Sequence, residues 1–169
     1  MVIWLIGLSG AGKTTIGKQL VSELKKANRA TVLVDGDDIR ALYKFEQPTD
    51  FSLAGRLMSA RRLQEICLWL DKQDIDVVCC NLGLFDEVNQ ENRKVFSRYF
   101  EVFVDVPITS LIERDNKGLY QSALAGERLN VVGIDISYQP PRNPDLTICN
   151  SHDKIDVDDY VKKIIELVR

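Results

Sequence analysis

The feature that most constrains this chain is a glycine-rich segment between an apolar run and a helical pattern. Val2–Leu8 is apolar and predicts a buried strand, whereas Lys13–Lys26 has the spacing of an amphipathic helix. The eight residues 7–14 read Gly-Leu-Ser-Gly-Ala-Gly-Lys-Thr and satisfy G-x-x-x-x-G-K-[ST]. Backbone N–H groups of this motif surround phosphates, and the following helix directs its positive end at them. A phosphate-binding loop (P-loop) is therefore predicted, and its place between strand and helix argues against a chance match.

The rest of the chain repeats the alternation of strand and helix. Further strands are predicted at Thr31–Val34, Ile75–Leu82, Glu101–Val106 and Leu146–Cys149. Further helices are predicted at Ser52–Leu70, from Ser110 to Asp115 and at Val157–Val168. This order predicts one α/β domain over residues 1–169, with a P-loop NTPase-type parallel sheet of about five strands and helices on both faces. Residues 117–145 are polar, glycine-containing and irregular, which is typical of a functional segment, so we predict a lid there.

The composition limits the kinds of molecule with which this chain is expected to interact. The net charge is −3 and the pI is about 5.3, so no basic surface for nucleic acid is expected. No stretch has the roughly 18 apolar residues of a membrane helix, and no basic segment precedes the first apolar run. The four cysteines lack metal-site spacing and are predicted to be buried, reduced thiols of a cytoplasmic protein. Trp4, Met58 and Trp69 are interpreted as core residues.

The loop and the second strand supply the candidate chemistry. The loop residues expected to bind ATP are Gly7, Ser9, Gly10, Ala11, Gly12, Lys13, Thr14 and Thr15. Lys13 would reach the outer phosphates, and the Thr14 hydroxyl would bind Mg²⁺. Asp35 and Asp37 follow the second strand, where carboxylates can hold Mg²⁺ or accept a proton; an Asp-Gly turn with a helix N-cap is the alternative. Arg40 lies one helical turn later, and the lack of an N-K-x-D motif counts against a GTPase.

Three stretches resemble the adenylylsulfate (APS) kinase family. They read IWLIGLSGAGKTT near the start, VLVDGDDIR after it, and EVFVDVPITSLIERDNKGLYQSALAGE followed by GIDISYQPPRNPDLTI in the second half. The likeness is nearly gapless, and the second-half block is far more specific than the P-loop motif. The resemblance implies phosphoryl transfer from ATP, with Mg²⁺, to the 3′-hydroxyl of a small nucleotide, commonly in a homodimer.

The resemblance also assigns roles by position. It implies Lys13, Asp35 and Asp37 as catalytic residues, with Thr14 and Asp35 at the metal. The acceptor-binding residues that we infer, with the family's pattern as the guide, are Asp37, Arg40, Phe51, Arg56, Ser59 and Arg128. Arg114 and Asp115 match the Arg-Asp that precedes the lid, and Arg114 is assigned to ATP. Asn143 and Pro144 fall where the family approaches the ATP adenine.

Departures from the family pattern cluster on the acceptor side. The family has asparagine at Ser59, Ser-Pro at Gly83-Leu84, arginine near Asn89, lysine at Leu129 and an aromatic residue at Val131. Arg128 is expected to replace part of the lost charge. Two explanations stay open: drift within an APS kinase, or a different acceptor such as cytidine diphosphoramidate. A non-catalytic ATP-binding module and a kinase for a sugar or metabolite hydroxyl are the competing classes.

Overall fold

The computed structural model describes residues 1–43, 50–115, 117–150 and 156–169. Its strands are β1 (Val2–Ile6), β2 (Thr31–Asp35), β3 (Asp76–Asn81), β4 (Tyr99–Asp105) and β5 (Leu146–Cys149). All pairings are parallel, in the order β2-β3-β1-β4-β5. The predicted five-stranded parallel sheet is confirmed. Because β1 is central, the loop that follows it emerges from the middle of the carboxyl edge, where ligands of parallel sheets bind.

Helices cover both faces of this sheet. They are α1 (Lys13–Lys26), α2 (Gly36–Tyr43), α3 (Leu53–Asp71), α4 (Asp86–Val95), α5 (Ile108–Arg114), α6 (Leu119–Leu124) and α7 (Val157–Val168). Successive residues of a strand point to opposite faces. Ile3 and Leu5 accordingly join the core cluster of α1 and α7, whereas Val2, Trp4 and Ile6 join the cluster beneath α3.

Helices α4 and α6 were not predicted from the sequence, and α2 was implied only by the alternative interpretation of a helix N-cap. Helix α4 carries little apolar signal, since its sequence is DEVNQENRKV and its buried residues are Val88, Asn89 and Asn92. Helix α2 begins at Gly36, inside the Asp-Gly-Asp segment that was also interpreted as a turn. The bounds predicted for α1, α7 and β5 agree with the structure, because those elements have a clear apolar pattern.

The core assignments were partly wrong. Trp4 is buried as predicted, with 1% exposed, but Met58 is 57% and Trp69 is 65% exposed. Both lie on the solvent side of α3, whose buried residues are Leu63, Gln64, Cys67 and Asp71. Of the four free cysteines three are buried and Cys149 is exposed. None of the helices within the described ranges combines the length and apolarity needed to cross a membrane.

The predicted lid, residues 117–145, is partly structured. It contains α6 and an isolated bridge between Val132 and Ile136. Tyr120, Val131 and Val132 are buried in the same core cluster as β1. This part of the segment therefore packs on the domain beside the phosphate loop.

Candidate active site

The phosphate loop keeps its shape through close backbone contacts. A Cβ atom on Gly7 would lie 2.5 Å from the carbonyl oxygen of Val104, so only glycine fits there. Gly12 has φ 99°, and a Cβ atom there would meet the Asn150 side chain at 2.9 Å. The Asn150 Nδ2 group donates to the carbonyl oxygen of Ala11 at 2.8 Å. The loop is thus supported from β4 and from the residue that follows β5.

Lys13 lies across the opening of this loop. Its Nζ donates to the carbonyl oxygens of Gly7 at 2.8 Å and Leu8 at 2.7 Å. Burial lowers the pKa of Lys13 to about 8, although the nearby Cys80, Asp35 and Asp37 act in the opposite direction. Bound phosphates would stabilise the ammonium form of Lys13 and so offset the effect of burial on its pKa.

Thr14 and Asp35 place two side-chain oxygen groups that could bind a metal ion next to Lys13. The Thr14 hydroxyl donates to Asp35 Oδ2 at 2.6 Å, and Asp35 Oδ1 accepts the N–H of Asp37 at 2.9 Å. Asp35 therefore also serves the helix-capping role that was the alternative interpretation. Oxygen ligands suit Mg²⁺, which normally keeps several waters and phosphate ligands. The described ranges hold no group of three or more His, Cys, Asp or Glu side chains arranged for a metal, so phosphates and water would complete this site.

Two cationic side chains contact Asp37 at the opening of the cavity. Lys117 Nζ donates to its Oδ2 at 3.0 Å, and Arg40 forms an ion pair with its Oδ1. Burial acts to raise the pKa of Asp37, but Lys117 and Arg40 outweigh it and the pKa is lowered. Its side chain is 60% exposed. Asp37 is thus an ionised, accessible carboxylate that lines the cavity.

Another part of the cavity lining is aromatic and cationic. The guanidinium carbons of Arg56 and Arg128 lie 5.5 and 5.7 Å from the centre of the Phe51 ring. Arg56 also donates to the carbonyl oxygens of Phe51 at 2.9 Å and Asn130 at 2.6 Å. The bond to Asn130 connects α3 to the predicted lid segment.

One cavity of about 600 Å³ joins these parts. Predicted residues that line it are Ser9, Gly10, Gly12, Lys13, Thr14, Thr15, Asp35, Asp37, Arg40, Phe51, Arg56, Ser59, Arg114 and Arg128. Gly7 and Ala11 lie on the inner side of the loop, where Ala11 is fully buried. A volume of this size is within the usual range of a small-molecule site.

Comparison with known proteins identifies the family. The family model for adenylylsulphate kinase matches residues 1–149. The chain belongs to the adenylylsulfate kinase family. It is therefore an ATP-dependent phosphotransferase of the APS-kinase-like type with a P-loop NTPase fold.

Individual relatives in this family have different names. A cytidine diphosphoramidate kinase from Campylobacter jejuni is 37% identical over 153 residues, covering 89% of this chain and 86% of the relative. An adenylyl-sulfate kinase from Halothermothrix orenii is 34% identical over 166 residues, covering 98% and 88%. The structure of the Mycobacterium tuberculosis APS kinase CysC in complex with AMPPNP and APS superposes with a TM-score of 0.88 at 32% identity, covering 99% and 96%. The names of these similar proteins thus include both adenylyl-sulfate and cytidine diphosphoramidate.

The structure does not bring Asn143 and Pro144 to the phosphate loop. They precede β5, whose last residue Cys149 pairs with Asp105 at the carboxyl edge of the sheet. The carbonyl oxygen of Asn143 accepts from Arg93 at 2.7 Å, and the Asp145 N–H donates to the Glu101 carbonyl at 2.8 Å. The assignment of Asn143 and Pro144 to the ATP adenine thus has no support from their position.

Several site residues were not assigned a role from the sequence. Lys117 contacts Asp37, and the Tyr120 hydroxyl donates to the carbonyl oxygen of Ser9 at 2.8 Å. Both lie within the RDNKGLY stretch that carries the family resemblance, so that stretch contained the signal. The Asp115 carboxylate accepts the N–H groups of residues 119–121 and caps α6, which fixes the position of this stretch. Asn150 gave no sequence signal, because its contact with the loop joins positions far apart in the chain.

Proposed function

We propose that this chain transfers the γ-phosphoryl group of ATP to the ribose 3′-hydroxyl of a small nucleotide. The observation that carries the proposal is the position of Asp37, with Lys117 and Arg40 bound to it, on the same cavity as Lys13 and Thr14. That arrangement supports the proposal, because a proton acceptor and three cations line one cavity, and phosphoryl transfer to a hydroxyl needs both kinds of group.

The proposed reaction is an in-line displacement. The acceptor oxygen forms a bond to the γ-phosphorus, the bond from the γ-phosphorus to the bridging oxygen breaks, and ADP leaves. The hydroxyl proton passes to Asp37, whose side chain is 60% exposed, whereas Asp35 is buried and bonded to Thr14. Lys13, Lys117 and the loop N–H groups neutralise the phosphates. Mg²⁺, held by Thr14 and Asp35, would supply further neutralisation, and the lid would exclude water.

Two acceptors are candidates. Family membership favours adenylylsulfate, whereas the residues that replace the family's acceptor-side lysine, arginine and aromatic side chains favour a cytidine nucleotide such as cytidine diphosphoramidate. Phe51 and Arg128 provide a stacking surface for either base. We expect ADP release from ATP to depend on one of these acceptors in a coupled assay. ATP binding without turnover on any nucleotide would instead favour a non-catalytic module, and turnover on gluconate-like compounds a metabolite kinase.

The affinity for ATP should depend on pH through Lys13. With a pKa of about 8, the free lysine loses its charge as the pH rises through 8. Phosphates bind the protonated form, so the Kd for ATP should rise by up to about tenfold per pH unit above pH 8. Calorimetric titrations between pH 7 and 9.5 at fixed Mg²⁺ test this. Lys13→Arg, which stays charged, should show no such rise, and an unchanged wild-type Kd across the range would contradict the assignment.

The homodimer and the cytoplasmic location implied by resemblance and composition remain predictions. Met58 and Trp69 lie three helical turns apart on the exposed side of α3, so a contact between two copies there would cover both. Light scattering should then give about twice the chain mass of 19.2 kDa. The double variant Met58→Glu/Trp69→Glu should give the single mass, while Leu124→Glu, also at an exposed apolar residue, should not change it. A dimer that survives the double change would place the contact elsewhere.

A further inference from the structure

Tyr120 joins the predicted lid to the phosphate loop. It is 2% exposed, in the core cluster beneath α1 and α7, and its hydroxyl donates to the carbonyl oxygen of Ser9 at 2.8 Å. Within the described ranges, this is the only hydrogen bond between residues 117–124 and the loop residues 7–14. The bond is made away from water, where a hydrogen bond is strong and the loss of a partner is costly.

The backbone of α6 is fixed from the other side. The Asp115 carboxylate accepts the N–H groups of residues 119–121 at 2.9, 3.2 and 2.9 Å, which caps the helix. The bond from Gln121 contributes most to holding the pKa of Asp115 below its ordinary value, so the cap is a charged carboxylate at neutral pH. Helix α6 is therefore anchored to the end of α5 through its backbone, and to the phosphate loop through Tyr120.

Lys117 lies just before this anchored helix. Only Gly118 separates it from the first residue of α6, and its Nζ is 3.0 Å from Asp37 Oδ2. Lys117, Tyr120 and Ser9 all line the same cavity. A shift of α6 relative to the loop would therefore move the Lys117 ammonium group relative to phosphates bound by the loop.

The phosphate loop has other supports that do not involve the lid. Gly7 fits closely against the carbonyl oxygen of Val104, and Asn150 donates to the carbonyl oxygen of Ala11. Without the Tyr120 hydroxyl, the loop should therefore keep its shape and its affinity for ATP. The main effect should fall on the position of α6 and of Lys117.

We propose that Tyr120 is a positioning residue that sets the distance between the Lys117 ammonium group and the phosphate loop. The inference rests on the proposed phosphoryl transfer, in which Lys117 and the loop N–H groups neutralise the same phosphates. The Tyr120 hydroxyl contacts the loop backbone and takes no part in making or breaking bonds. Its contribution to the rate passes through Lys117.

Removal of the hydroxyl alone tests this role. Tyr120→Phe keeps the ring in the core but loses the bond to Ser9, and kcat should fall by about tenfold, between the effect of one hydrogen bond and the roughly hundredfold loss that a 1 Å misplacement can cause. The KM for ATP should change little, since the loop keeps its other supports. The matched control is Tyr160→Phe, whose hydroxyl also donates to a backbone carbonyl, that of Cys149 at 3.1 Å, away from the cavity. It should change kcat by less than about twofold.

A double-mutant cycle separates the positioning of Lys117 from a merely structural role. Lys117→Met removes the ammonium group and should by itself lower kcat by about 10²-fold. In that background Tyr120→Phe should lower kcat by less than about twofold more, because the group that it positions is gone. If the two single effects multiply in the double variant, or if either single variant keeps the wild-type kcat, the inference is overturned while the proposed function stands. Failure of the wild type with every nucleotide acceptor would instead remove the proposed function, and this inference with it.

Discussion

Replacing Lys13 with alanine should reduce kcat/KM for phosphoryl transfer by about 10²–10³-fold or more, the effect of removing one preorganised charge from a developing transition state. Lys13 is the lysine of the phosphate-loop motif. Its Nζ donates to the carbonyl oxygens of Gly7 and Leu8 at the opening of the loop. Initial rates with ATP and a saturating nucleotide acceptor measure the loss.

Lys18→Ala is the matched control for this variant. Lys18 belongs to the same helix α1 but is exposed, so its removal should leave the rate within about twofold, as surface changes usually do. Full transfer activity in Lys13→Ala would refute the assignment of the phosphate loop.

Replacing Asp37 with asparagine should lower kcat by about 10²–10⁴-fold, the usual range for loss of a general base, with little change in the KM for ATP. Asparagine keeps the size of the side chain but cannot accept the hydroxyl proton. A fall in kcat without a change in the KM for ATP would identify an acceptor-side role for Asp37, which contacts Lys117 and Arg40 rather than the loop backbone.

The neighbouring carboxylate provides the control for charge. Asp38→Asn makes the same change one residue later on the exposed side of α2, where no described ion pair involves it, and should leave kcat unchanged. If Asp37→Asn altered the ATP affinity alone, Asp37 would belong to the donor side and Asp35 would be the better candidate for the base.

The parts of the site that could be predicted are those whose chemistry is local in sequence. The motif from Gly7 to Thr14 and the Asp35-Gly36-Asp37 segment each contain their own signal, and the structure brings both to one cavity. Contacts that depend on the crossover geometry of the sheet could not be predicted. Lys117 reaches Asp37 across 80 residues, and Asn150 reaches the loop across 139. No periodic pattern encodes such distances.

Strand direction explains the position of Asn143 and Pro144. Residues that precede a parallel strand lie at its amino end, whereas ligands bind beyond the carboxyl ends. The resemblance located these residues in sequence, but the direction of β5 separates them from the loop. The unpredicted α4 has a related cause. Its cavity side consists of Val88 and Asn89, which is too little apolar surface to produce a helical pattern.

The hydrogen bond from Asn150 to Ala11 has a consequence for the order of events during folding. Asn150 follows β5, the last strand in the chain and an edge strand of the sheet. The phosphate loop gains this support after the edge strand has joined β4, although the loop itself stands near the other end of the sequence. A chain in which β5 has not paired with β4 would therefore have the complete motif without this support.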